Sequence, residues 1–165
     1  MMRTVFPLNE GSAAGALDRA EHQAINIREV SQRIVQEIRQ GVLGPDKRIR
    51  VTLLEGHNIY LPARQATACA LVINELLQNS VEHGFEGRSE GEIELRLDDY
   101  GDEIEIVVAD DGHGLPDDFS LEQTSSLGLR IVKTLVQDDL QGVLAIEEAS
   151  GARATVRFPK PSVGG

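Results

Sequence analysis

The chain has 165 residues, of which 41% are hydrophobic and 26% charged, a size and balance that suit one soluble domain with a core of its own. A formal net charge of −11 and only 4% aromatic residues, with no tryptophan, argue against nucleic acid as a partner, and no apolar run reaches the roughly 18 residues that span a bilayer. The one cysteine, Cys69, excludes an internal disulfide and reads as a buried, inert thiol; with no secretory leader in Met1-Met2-Arg3-Thr4, a cytoplasmic placement is expected.

Residues 1–24 are rich in Gly, Ala and Ser and read as a flexible lead-in. Residues Ile25 to Arg39 carry Ile27, Val30, Ile34, Val35 and Ile38 at helical spacing, and Gly41 and Gly44-Pro45 end that helix. Ile49–Leu53 alternates as a strand, Gly56-His57-Asn58 is a turn, and Ile59-Tyr60-Leu61 is a short returning strand. Pro62 opens a long helix from Ala63 to about Glu82. Two strands follow, with Ile93, Leu95 and Leu97 on one and Ile104, Ile106 and Val108 on the other, joined tightly at Tyr100-Gly101-Asp102. The polar segment Pro116 to Ser125 is a mobile-loop candidate, and Ser126 to about Gln137 is a last helix. Val143–Glu148 and Arg153–Phe158 form a final hairpin about Ser150-Gly151, and residues 161–165 are a tail. The fold expected over residues 25–160 is an α/β two-layer sandwich: a mixed, mostly antiparallel sheet of five to six strands with helices on one face.

Three segments carry chemistry. On the long helix Glu75, Asn79 and His83 stand four residues apart, on one slowly turning stripe. The amide oxygen of Asn79 suits Mg²⁺, which takes hard oxygen ligands and keeps several waters. Glu75 can orient or activate an attacking group, and His83 can donate to a phosphate. The same polar residues also fit the wet face of any amphipathic helix. At the end of the strand Val107-Val108-Ala109 stand Asp110 and Asp111. A carboxylate there can accept from the exocyclic amine of adenine, and Gly112 and Gly114 let the backbone approach a flat ring. An ordinary Asp-Gly turn has the same sequence, and His113 reads as a solvent-facing turn residue. Gly128 stands where the last helix begins, so that its N–H groups and positive end can face phosphate. Ser125 and Ser126 can cap that helix or touch phosphate, and Arg130 reads as an exposed salt-bridge residue. Global acidity does not exclude ATP, because phosphates answer to local amides, metal and a few cations. No Gly-x-x-x-x-Gly-Lys-Ser/Thr loop, His/Cys metal cluster or Gly-x-Ser-x-Gly elbow occurs.

Order and spacing together make these segments resemble the Bergerat ATP-binding fold of the GHKL superfamily, shared by histidine kinases, DNA gyrase, Hsp90 and MutL. Asn74-Glu75-x-x-x-Asn79-x-x-x-His83 resembles the N box. Asp110-Asp111-Gly112-His113-Gly114 resembles the first glycine box, and Ser126-Leu127-Gly128-Leu129 the second. Leu76 to Phe85 and Ser126 to Val132 are most similar to sensor histidine kinases of the HisKA_2/HWE-like group. The resemblance implies that Asn79 holds Mg²⁺, that Glu75 is the acid near the γ-phosphate, and that His83 meets phosphate. It further implies that Asp110 reads adenine, that Gly112 and Gly114 shape the base pocket, and that Ser126, Leu127, Gly128 and Leu129 face phosphate. Thr155 matches a threonine that helps hold adenine through water, and Pro116 to Leu127 would be an ATP lid.

Ser126 stands where the second glycine box usually begins with glycine, and the phenylalanine box is reduced to Phe119. His22 with Asn26 only faintly echoes a phosphoacceptor pattern. The expected function is therefore the ATP-binding catalytic domain of a two-component sensor histidine kinase, a piece of a longer chain that needs a separate dimerisation and phosphoacceptor domain and a response-regulator receiver domain as partners. The alternatives are a free-standing anti-sigma-factor serine kinase of the same fold and a non-catalytic nucleotide-binding module.

Overall fold

The computed structural model describes residues 23–42, 45–124 and 126–162. The readings given to residues 1–22 with His22, to Gly44, to Ser125 and to residues 163–165 lie outside them. Among the described residues a five-stranded sheet carries the helices on one face. In chain order the elements are β1 (Ala24–Asn26), α1 (Ile27–Glu37, continued by a wider turn to Val42), β2 (Arg48–Leu53), β3 (Tyr60–Pro62), α2 (Ala63–His83), β4 (Glu90–Asp99), β5 (Glu103–Asp110), α3 (Leu127–Thr134, continued to Asp139), β6 (Val143–Glu148) and β7 (Ala152–Pro159). The sheet runs β2-β4-β5-β7-β6. Its β2–β4 pair is parallel and the other pairs are antiparallel. This is the expected two-layer sandwich with a mixed, mostly antiparallel sheet. No helix among the described residues is long and apolar enough to cross a membrane.

Side-chain alternation decides which face is covered. Ile93, Leu95 and Leu97 of β4 are buried while Glu92, Glu94 and Arg96 are not, and Ile104, Ile106 and Val108 of β5 continue the inner face. The inner row meets Ala66, Cys69, Val72, Ile73, Leu76 and Leu77 of α2 in one continuous core. Gly101 turns the chain between β4 and β5 at φ +96°, a conformation in which glycine carries no Cβ penalty. On the outer face, Glu105 is buried beneath Arg96 and Arg157, its Oε1 3.1 Å from Arg96 Nη2 and its Oε2 2.5 Å from Arg157 Nε.

The expected return of residues 59–61 onto β2 does not occur. Residues Tyr60–Pro62 pair instead with β1, in the register Ala24↔Pro62 and Asn26↔Tyr60. Arg28 explains the redirection. Its buried guanidinium donates to the carbonyls of His57 at 2.6 Å, Leu54 at 3.0 Å and Leu97 at 3.2 Å, which holds the chain after β2 against α1. Ile25 is consequently in a strand, and α1 begins at Ile27, where the Asn26 side chain accepts from Arg28 N at 3.1 Å.

Candidate functional site

One cavity, about 640 Å³, opens between the C-terminal half of α2, the ends of β5 and β7, and the segment leading to α3. That volume falls in the range of small-molecule and cofactor sites. Asn79, Ser80 and His83 face it from α2, and Asp110 faces it from the end of β5. His113 and Gly114 line it from the following turn, Phe119 and Thr124 from the segment before α3, and Ser126 and Leu129 from the start of α3. Ala152 and Ala154 close the sheet side. Three segments far apart in sequence thus share one concavity.

Asp110 is held in it by two backbone hydrogen bonds. The side chain is buried, and its Oδ1 accepts from Gly112 N at 2.9 Å and from Ala152 N at 3.1 Å. Those two bonds fix the carboxylate plane and leave Oδ2 on the side of Gly84. Asp111 has a different task. Its Oδ1 accepts from Glu92 N at 2.8 Å, and its backbone carbonyl accepts from Arg88, so it braces the turn against β4. Gly112 is needed because a Cβ there would meet the Gly84 carbonyl oxygen.

The turn after Asp110 is stapled to the loop after α2. His113 donates its backbone N–H to Gly84 O at 2.8 Å, and its ring Nε2 bonds the Glu86 carbonyl, which requires a proton on Nε2. His113, read from sequence as solvent-facing, is exposed and yet lines the cavity. A contact to the carbonyl of a residue 27 positions away left no local signal. Glu148 of β6 accepts from Leu115 N at 3.0 Å and anchors the start of the loop. The His83 ring is largely exposed at the rim, beside the Glu82 carboxylate.

At α3, Ser126 acts as the N-cap: its Oγ accepts from Leu129 N at 3.3 Å, and Thr124 Oγ1 accepts from Ser126 N at 3.2 Å. The Leu129 N–H is thereby engaged within the helix. Leu127 is 69% exposed, and neither it nor Gly128 lines the cavity. Glu75 also stands outside the lining, its carboxylate against Gly128, where a Cβ would lie 2.3 Å from Oε2. A carboxylate there suits the positive end of α3. Arg130 is exposed.

Thr155 does not reach the cavity. Its side chain belongs to the outer face of the sheet, in the groove with Val107 and Ala145, and Ala154 takes the inner position. Strand residues alternate faces, so β7 presents Ala154 to the cavity and Thr155 to the opposite side.

Residues 65–162 match the family described as histidine kinase-, DNA gyrase B-, and HSP90-like ATPase. The chain belongs to this ATPase family. It is 38% identical over 147 residues to the sensor histidine kinase PdtaS of Mycobacterium tuberculosis, a match that covers 87% of the chain and 29% of PdtaS. The chain therefore spans under a third of the length of this relative. Among solved structures, the histidine kinase domain of the Erythrobacter litoralis EL346 blue-light activated kinase superposes with a TM-score of 0.72 at 27% identity, covering 82% of this chain and 62% of that one. The ATP binding domain of PrrB from Mycobacterium tuberculosis shares the fold at a TM-score of 0.66 and 23% identity, covering 86% of this chain and 99% of that one.

Proposed function

We propose that the chain is the ATP-binding catalytic domain of a two-component sensor histidine kinase. It would transfer the γ-phosphoryl group of ATP to a histidine on a dimerisation domain, for later passage to a response-regulator receiver domain. The observation that carries the reading is the convergence of Asn79 and Asp110 on one cavity in a chain homologous to sensor histidine kinases. In this reading the free Oδ2 of Asp110 accepts from the adenine amine, and Gly112 and Gly114 allow the ring to lie against backbone. His83 donates to a phosphate at the rim. Phe119 belongs to a lid running from Pro116 to Leu127 that excludes water when it folds over the nucleotide. Ser126, Leu127, Gly128 and Leu129 would present the start of α3 to the phosphates once that lid moves.

Asn79 supplies one hard oxygen on the cavity wall, which fits an ion that takes few protein ligands and completes its shell with phosphate oxygens and water. Bound there, Mg²⁺ would neutralise charge on the β- and γ-phosphates. Glu75, one turn earlier, would orient the acceptor imidazole as its nitrogen bonds the γ-phosphorus and the bond to the bridging oxygen breaks, releasing ADP. The test has two steps. A fluorescent ATP derivative with Mg²⁺ should give a saturable signal, and labelled ATP with the kinase's own dimerisation domain should give acid-labile phosphohistidine. Absence of the saturable signal would remove the nucleotide site. Acid-stable phosphoserine on an antagonist protein, with no phosphohistidine, would move the assignment to an anti-sigma-factor serine kinase.

A further inference from the structure

The segment from Pro116 to Thr124 contains no helix or strand, and within the described residues its hydrogen bonds are local. Phe119 N–H donates to Pro116 O at 3.0 Å, and Gln123 N–H to Ser120 O at 3.2 Å. At the far end Thr124 Oγ1 accepts from Ser126 N at 3.2 Å. At the near end Pro116 has no N–H to give, so Leu115 carries the last backbone donor before the segment. That donor meets Oε1 of Glu148, the last residue of β6, at 3.0 Å.

The contact is shaped from both sides. Gly114 stands at φ +83°, and a Cβ there would lie 3.0 Å from Glu148 Oε1 and 3.6 Å from Gly151 O, so the carboxylate rests directly on the backbone of the turn. The hairpin that carries Glu148 is itself fixed. Glu148 stands opposite Ala152, Ala149 N–H donates to Gly151 O at 2.9 Å, and Ala152 N–H donates to Asp110 at 3.1 Å. Asp110 and Leu115 thus take their places from one turn between β6 and β7. Leu115 and Pro116 line the cavity, so this tether sets the position of its wall there. A segment that is ordered only when a ligand arrives loses affinity to that ordering, and one held beforehand does not. Resting on the nucleotide reading of this cavity, we infer that Glu148 is a positioning residue. By holding the Leu115 N–H it fixes the pivot from which the following loop closes over the nucleotide.

The test compares the full chain with Glu148→Ala, which removes the acceptor, and with Glu148→Gln, which keeps an oxygen there without the charge. Amide hydrogen exchange is read at Leu115 without nucleotide, and affinity by titration of a fluorescent ATP derivative with Mg²⁺. In Glu148→Ala, exchange at Leu115 should quicken and nucleotide binding weaken, each roughly 3- to 10-fold, the value of one hydrogen bond. Glu148→Gln should restore both. Glu148 is exposed, so exchange at buried Cys69 in α2 should stay at the parent's rate in both variants. Unchanged exchange at Leu115, or faster exchange with unchanged affinity, would overturn the assignment. So would an equal rise in exchange at Cys69, which marks a general loss of stability, or a glutamine variant as weak as the alanine one. An unaltered chain that bound no nucleotide would remove the reading beneath, while the exchange at Leu115 would still report whether the tether exists.

Discussion

A methyl group placed on Gly151 would sit 2.3 Å from Oδ1 of Asp110 and 2.5 Å from the N–H nitrogen of Gly112. The β6–β7 turn and the end of β5 therefore meet with no room for a side chain, and Asp110 is held between them. Neither obstruction is the free end of a flexible side chain. Gly151→Ala should destabilise the domain by about 1–3 kcal/mol, the usual cost of overpacking, and should weaken ATP binding more than tenfold by tilting the carboxylate. Urea unfolding and fluorescent-nucleotide titration check the two parts separately.

Asp110→Asn separates support from recognition. An asparagine oxygen can still accept from Gly112 N and Ala152 N, so the fold should survive with a small change in melting temperature. The amide NH2 would then occupy the position of Oδ2 and meet the adenine amine donor to donor. Losing a hydrogen bond to a charged group is worth about 1.5–3 kcal/mol, so affinity for ATP should fall roughly 10- to 100-fold. Retained affinity would show that the base is not read here.

Much of this was legible in the sequence because alternation and helical spacing are local. Ile93, Leu95 and Leu97 announced β4, and the stripe Glu75, Asn79, His83 announced α2. What was not legible depends on tertiary approach. The demand for glycine at position 151 arises from its nearness to Asp110, and the His113 ring finds Glu86 only after the chain folds back. The pairing of β1 with β3 joins two three-residue strands, too short to show alternation. Thr155 stays away from the cavity because successive residues of β7 face opposite sides and Ala154 holds the inward position.

Gly128→Ala distinguishes the chemistry of Glu75 from nucleotide binding. The added methyl meets the Glu75 carboxylate, the far end of a flexible side chain that can swing aside, and alanine in place of glycine favours a helix by up to about 1 kcal/mol. The variant should unfold within a few degrees of the parent and bind ATP with similar affinity, while phosphoryl transfer to the dimerisation domain falls. Glu75→Gln should give the same pattern. A proportional loss of ATP affinity in both variants would place Glu75 in binding rather than transfer.

Cys69 offers a reporter of opening. Burial pushes its thiol up to about 12, so the thiolate is scarce at pH 8 and labelling by a thiol reagent should proceed only through unfolding. Saturating Mg²⁺-ATP, binding the folded state, should slow that labelling in proportion to occupancy. Rapid labelling of the native protein would contradict the buried placement.

Glu105 makes acid stability a test of the outer face. Burial opposes its charge, but hydrogen bonds from Arg157 and Arg96, with their positive charges, outweigh that and hold the carboxyl below its usual range. Asp99 is lowered in the same way, first by its hydrogen bond from Lys160 and then by Gly101 N–H. For a group whose folded value is depressed, the unfolded chain binds the proton first as pH falls. The stabilisation is thus complete above the ordinary carboxyl values of about 3.9 and 4.3, and it is lost as pH drops through the lower folded values. At pH 7, Glu105→Gln should cost about 1–3 kcal/mol, since two arginines lose a charged acceptor. The gap between variant and parent in urea midpoints should begin to narrow as pH falls through the ordinary carboxyl value of about 4.3, because the unfolded parent then takes up a proton at Glu105 that the folded parent accepts only at lower pH. A gap that stayed constant from pH 7 to pH 3 would mean that packing, not charge, is what Glu105 contributes beneath Arg96 and Arg157.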